Sequence, residues 1–172
     1  MDSFPAIEID KVKAWDFRLA NINTSECLNV AYGVDANYLD GVGVSITSIV
    51  LNNRHINLDF YIIADVYNDA FFQKVAKLAE QYQLRITLYR INTDKLQCLP
   101  CTQVWSRAMY FRLFAFQLLG LTLDRLLYLD ADVVCKGDIS QLLHLGLNGA
   151  VAAVVPHVAP MHEKAVASSS AP

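Results

Sequence analysis

Apolar residues along this chain fall into two rhythms, and the switching between them lays out the elements. Residues 28–34, Leu-Asn-Val-Ala-Tyr-Gly-Val, form a short apolar run that suits a buried strand and ends in the polar turn Asp35-Ala-Asn37. Residues 41–51 crowd Val42, Val44, Ile46, Ile49, Val50 and Leu51 together, which predicts a helix packed on a sheet rather than a second strand directly after a turn. Residues 58–64 predict the next strand. Asn68 then caps a helix whose Phe71, Phe72, Val75, Leu78, Ala79 and Tyr82 share one face. Residues 84–91 alternate as a third strand. A mostly apolar helix follows from about Ser106 to Leu119, is ended by Gly120, and should be buried on several sides. Residues 125–129 predict a fourth strand that runs into Asp130-Ala-Asp132. Asp138 caps a short helix ending near Leu145, and residues 150–155 predict a fifth strand.

Residues 1–25 show neither rhythm cleanly, because Glu8, Asp10, Lys11, Lys13, Asp16 and Arg18 interrupt the apolar positions. They read as an appendage with one short helix. Residues 156–172 hold too little apolar material for another element and read as a loose tail, which leaves 26–155 as the folded domain. Strands that alternate with helices and are apolar on both faces indicate an α/β fold. Its sheet is mostly parallel and doubly wound, with helices on both faces and right-handed crossovers.

Composition narrows the function. The 172 residues fit one domain, and 54% apolar against 18% charged residues is the balance of a large buried interior. A net charge of −3 with scattered basic residues excludes the electrostatic footprint of a nucleic-acid wrapper or a polybasic lipid anchor. The amino terminus lacks a cationic start followed by an apolar stretch, and no run reaches the roughly 18 to 20 residues of a membrane span. The expected location is the cytoplasm. Cys98-Leu-Pro-Cys101 is a CxxC, but it lies in a polar connection, contains Pro100 and has no second ligand pair at zinc spacing.

Ligands of an open parallel sheet bind outside the carboxyl ends of its strands. Two clusters fall there. Asp130-Ala131-Asp132 puts two carboxylates one residue apart at a strand end, a hard oxygen donor pair for Mg2+ or Mn2+ completed by water and substrate phosphate. Ala131 between them leaves room for something to approach. Gly33-Val34-Asp35-Ala36-Asn37-Tyr38 offers close approach at the glycine, polar groups for a base or ribose, and a ring for stacking. The same residues also fit plain turn and cap chemistry. His55, His144, Trp15 and Trp105 need no more than packing or surface roles.

Tyr32-Gly-Val-Asp-Ala-Asn-Tyr38, then Met109-Tyr-Phe-Arg-Leu113, then Leu127-Tyr-Leu-Asp-Ala-Asp-Val133 followed by Lys136-Gly-Asp-Ile139 resemble glycosyltransferase family 8 in order and spacing. The resemblance spans about residues 28–155 and is strongest to transferases of the lipopolysaccharide core. It implies a GT-A fold of Rossmann type, a UDP-hexose donor with UDP-glucose preferred, a divalent metal, and retaining transfer to a core sugar. It further implies a cytoplasmic enzyme with scope for peripheral contact at the inner membrane. By position, Gly33, Val34, Asp35, Ala36, Asn37 and Tyr38 would hold UDP, together with Asp130 and Ala131. Asp130 and Asp132 would bind the metal and diphosphate, and Arg112 would reach the donor sugar or phosphate. The family's later motifs, an Asn-rich acceptor segment and the His-Tyr-x-Gly and Lys-Pro-Trp stretches, have no counterpart here. The resemblance therefore implies an amino-terminal portion lacking the histidine that is the third metal ligand, with little activity of its own.

Two other readings share these residues. Leu-Tyr-Leu-Asp-Ala-Asp-Val-Val is also similar to the first motif of haloacid-dehalogenase-type phosphatases, with Asp130 as nucleophile and Asp132 as acid/base. That motif normally opens its fold, whereas this one comes late in the chain. The third reading is a nucleotide-binding piece without catalysis.

Overall fold

The run from residue 28 forms the central strand because its side chains are apolar on both faces. In the computed structural model, which describes residues 8–18, 26–97, 99–101 and 106–155, it is β2 (Cys27–Val34). Val30, Tyr32 and Val34 face one side of the sheet and Ala31 the other. β3 (Asn57–Ala64) and β4 (Arg85–Ile91) extend the sheet in parallel, and the short β5 (Leu127–Leu129) pairs in parallel on the other flank of β2. β1 (Ile9–Asp16) adds an antiparallel edge, giving the order β1-β4-β3-β2-β5.

Helices α1 (Leu39–Asn52) and α2 (Asp69–Tyr82) cover one face, and α3 (Phe111–Leu119) covers the other. Asn68 caps α2 as its sequence predicts, its Oδ1 accepting from the Phe71 amide at 2.8 Å. Phe71, Val75 and Ala79 point into the core at helical spacing. α1 buries Leu39, Val42, Ile46, Ile49 and Val50, so the helix reading of this β-branched stretch holds. None of the described helices is long and apolar enough to cross a membrane.

Four expectations need correction. The appendage helix is instead β1. Its inward residues Ile9, Val12 and Trp15 are three apart, which imitates a helix, because the register with β4 shifts between Lys11 and Lys13. A bulge of this kind inserts one residue and moves later side chains to the opposite face. Ile9 consequently packs with the α3 layer, while Trp15 packs with the α2 layer, 6.4 Å from the Phe72 ring. The helix from 106 begins as a 3-10 turn, Arg107–Tyr110, and α3 is buried on one side only: Phe111, Phe114, Ala115 and Leu119 meet the sheet, whereas Leu113 and Phe116 are exposed. The short helix after Asp138 is a 3-10 turn, Ser140–His144. Asp138 still holds its start by accepting from the Ser140 amide at 2.8 Å, a bond that keeps this carboxyl below its usual range, helped by His55. The apolar run 150–155 is no strand: Val151, Val154 and Val155 stand in solvent. Of the CxxC pair, Cys98 lies outside the described residues and Cys101 is a free, exposed thiol.

The two glycines of α1 have opposite roles. A Cβ on Gly41 would meet the Ala131 carbonyl oxygen at 3.1 Å, whereas one on Gly43 would meet nothing within 4 Å. Gly43→Ala is therefore expected to raise stability by about 0.5 to 1 kcal/mol through helix propensity. Gly41→Ala should fall well below it, and paired thermal melts check the ranking.

Candidate donor and metal site

The strand order reverses at β2. From there the chain crosses through α1 to β3 on one flank, while β5 sits on the other. Ligand sites of open α/β sheets form at this kind of switch point. Tyr32 pairs with Leu129, so the residues that follow each strand emerge side by side. The loop from Gly33 to Tyr38 and the segment Asp130-Ala131-Asp132 are thus neighbours, although nearly 100 residues separate them in the chain.

Within the first loop, Asp35 follows β2 and caps the 3-10 turn Ala36–Tyr38, its Oδ1 accepting from the Asn37 amide at 3.0 Å. The turn reading of Asp35 is therefore realised in the free protein. Ala36, Asn37 and Tyr38 are exposed, and the Tyr38 ring, 55% accessible, is open to stacking. Val34 is different: its side chain belongs to the core, so only its backbone can face a ligand.

Gly33 also differs from expectation. A Cβ there would stand 2.6 Å from the Tyr128 hydroxyl and 2.7 Å from the Phe111 Cβ, so the glycine admits β5 and α3 close to the strand. Ala131 is likewise close-packed: it is 8% accessible and lies against Gly41 of α1. The room expected at Ala131 is filled by the helix.

Asp130 and Asp132 are both exposed. Arg112, in the first turn of α3, places Nη2 2.9 Å from the Asp130 Oδ1, with its guanidinium 5.3 Å from the centre of the Tyr128 ring. Its Nε is buried with no hydrogen-bond partner. Burial pushes the Tyr128 hydroxyl up to about 12, with Arg112 pulling against it, so it stays protonated as it supports both Arg112 and Gly33. Tyr128 is a site residue that sequence reading passed over, although it sits inside the motif, two positions before Asp130.

Two exposed carboxylates with open faces are hard oxygen donors that suit Mg2+ or Mn2+, whose remaining positions go to water and phosphate oxygens. Among the described residues no group of three or more His, Cys, Asp or Glu comes together. His157 and His162 lie outside the described residues.

Residues 29–171 match the family model for glycosyl transferase family 8, and the chain belongs to that family. It is 94% identical over all 172 residues to lipopolysaccharide 1,2-glucosyltransferase of Escherichia coli K12, of which it covers 51%. Over 81% of its length it is 39% identical to lipopolysaccharide 1,3-galactosyltransferase of Salmonella typhimurium, covering 42% of that protein. The chain spans about half the length of the curated relatives it matches. Among solved structures it superposes on the galactosyltransferase LgtC, solved with donor and acceptor sugar analogs, with a TM-score of 0.61 at 21% identity, over 67% of this chain and 41% of the other. WbbM, a bifunctional glycosyltransferase, gives a TM-score of 0.56 at 22% identity over 76% of this chain and 23% of its own. The fold is the GT-A fold of glycosyltransferases. The phosphatase reading of Asp130 and Asp132 falls with this assignment.

Proposed function

We propose that this chain supplies the donor side of a retaining, metal-dependent transferase that moves glucose from UDP-glucose to a sugar of the lipopolysaccharide core. The reaction would take place in the cytoplasm, with peripheral contact at the inner membrane. The observation that carries this reading is the placement of the Gly33–Tyr38 loop and the Asp130–Asp132 pair on adjacent strands at the switch point of a family 8 sheet. Glycosyltransferases of this fold generally use a divalent metal.

In this reading the rim of the first loop, half-buried Asp35 with exposed Asn37 and Tyr38, receives the uracil and ribose. Val34 and Ala36 contribute backbone groups, and Gly33 lets the floor close beneath them. Asp130 and Asp132 would hold the ion. A divalent cation bound there would neutralise charge that develops on the departing diphosphate, the kind of electrostatic stabilisation that is usually the largest catalytic contribution. Arg112 stands beside Asp130 with a half-exposed guanidinium, the group type that pairs with a phosphate oxygen or sugar hydroxyl. No nucleophile is assigned among these residues.

Calorimetric titration of UDP into the protein, with and without Mn2+, tests the site. Binding should require Mn2+, be lost in Asp130→Ala, and be much weaker for a purine diphosphate. UDP binding that ignores both Mn2+ and Asp130→Ala would sink the metal assignment. Equal affinity for the purine nucleotide would sink the uridine one.

A further inference from the structure

We infer that Ser48 of α1 and Asn53, which caps the carboxyl end of that helix, are positioning residues that hold the aspartate segment in register with the nucleoside loop, an inference that rests on the donor-site reading above. After Asp132 the chain leaves the sheet through exposed Val133 and Val134, and regular strand pairing no longer fixes it. α1 takes over. The Ser48 hydroxyl donates to the Ser45 carbonyl at 2.7 Å and accepts from the Cys135 amide at 2.9 Å. Asn52 donates to the Cys135 carbonyl at 3.1 Å. Asn53 has no accessible surface: its Oδ1 accepts from the Ile139 amide at 2.7 Å, and its Nδ2 donates to Ile49 O at 2.9 Å and Gly137 O at 3.3 Å.

A buried amide is costly unless its donors and acceptor are matched, and here most of its partners belong to the segment that follows the aspartates. On the other side of Asp132, Gly41 admits the Ala131 carbonyl to the flank of the same helix. Asp132 is therefore strung between two anchors, Ala131 and Cys135, both set against α1. The amino end of α1 continues directly from the 3-10 turn Ala36–Tyr38 of the nucleoside loop. One helix, wedged into the core by Ile46, Ile49 and Val50, thus sets the separation between the nucleoside end and the carboxylates. Groups held in advance by rigid elements lose less order on binding, and partners that orient metal ligands typically matter by 10- to 100-fold in affinity.

The test uses Ser48→Ala, a mild change outside the carboxylate pair, with Ser48→Thr as the variant that restores a hydroxyl. Two readouts are needed: amide hydrogen exchange across residues 130–139, and the Kd for UDP in saturating Mn2+. In Ser48→Ala, exchange over 130–139 should quicken about tenfold and the Kd should rise about tenfold. Exchange in β2 and β3 should stay unchanged, and Ser48→Thr should recover both readouts. A purely structural role would lower the melting temperature without this local, rescued loss of manganese-dependent affinity. Either readout remaining at the wild-type value in Ser48→Ala overturns the inference. If the wild type itself shows no manganese-dependent UDP binding, the donor-site reading fails, and exchange at 130–139 alone decides whether Ser48 holds the segment.

Discussion

Asp132→Ala, placed in a full-length family 8 enzyme carrying this domain, is expected to lower metal-dependent transfer by about a thousandfold, the upper range for removing one group that stabilises transition-state charge. The fold should be untouched. Asp132 is exposed, and substitutions at such positions usually change stability by no more than about 0.5 kcal/mol. The backbone on either side of it stays tied to α1 through Ala131 and Cys135. Asp130→Ala should be comparably damaging but less clean, because it also releases Arg112 from its 2.9 Å contact and lets the guanidinium move over the Tyr128 ring. Initial rates in saturating Mn2+, read beside thermal melts, separate chemistry from folding. Asp132→Ala transferring at the wild-type rate would remove that carboxylate from the site.

The second large effect lies at the opposite end of the sheet. Asp59, near the start of β3, has only 3% of its side chain accessible and sits between Arg18 and Arg85. Burial drives its carboxyl upward while the two guanidiniums pull against it, and burial likewise pushes the neighbouring Cys27 thiol up to about 12. Arg18 has a second partner in Asp16 at 2.6 Å, so losing Asp59 leaves it paired. Among the described residues Arg85 would keep only the Tyr61 hydroxyl at 3.1 Å, and its Nε is already buried without a partner. Breaking a buried pair from one side usually costs 3 to 5 kcal/mol. Because Arg85 is partly solvated, Asp59→Ala should cost about 3 kcal/mol. Adding Arg85→Met should return part of that loss, since the stranded charge goes with it. Denaturant melts of the two singles and the double complete the cycle, and strict additivity would contradict the account.

These two sites differ in how far the sequence disclosed them. β2 and β3 were legible as short apolar runs buried on both faces, β4 as an alternating run, and α2 by apolar residues at helical spacing, with Asn68 marking its start. Asp130 and Asp132 were legible as a carboxylate pair closing an apolar run, and the structure leaves both exposed at the end of β5 beside the Gly33–Tyr38 loop. β1 was not, because its bulge turns a two-residue period into a three-residue one. The packing of Gly33 and Ala131 was hidden for a different reason. Each faces a neighbour distant in the chain, Tyr128 and Gly41 respectively, and local pattern carries no trace of such contacts. The Asn53 network and the Asp59 cluster were hidden for the same reason: Asn53 meets Ile139 across 86 positions, and Arg18 meets Asp59 across 41.

The bulged edge strand has one more consequence. Edge strands carrying charged side chains and an irregular register are poor templates for a further strand. β1 presents Asp10, Lys11 and Lys13 in solvent around its bulge, so it closes that side of the sheet to intermolecular pairing. Growth of the sheet is then favoured at β5, whose three residues lead straight into Asp130. Any polypeptide that extends this sheet is steered to the flank that carries the two carboxylates.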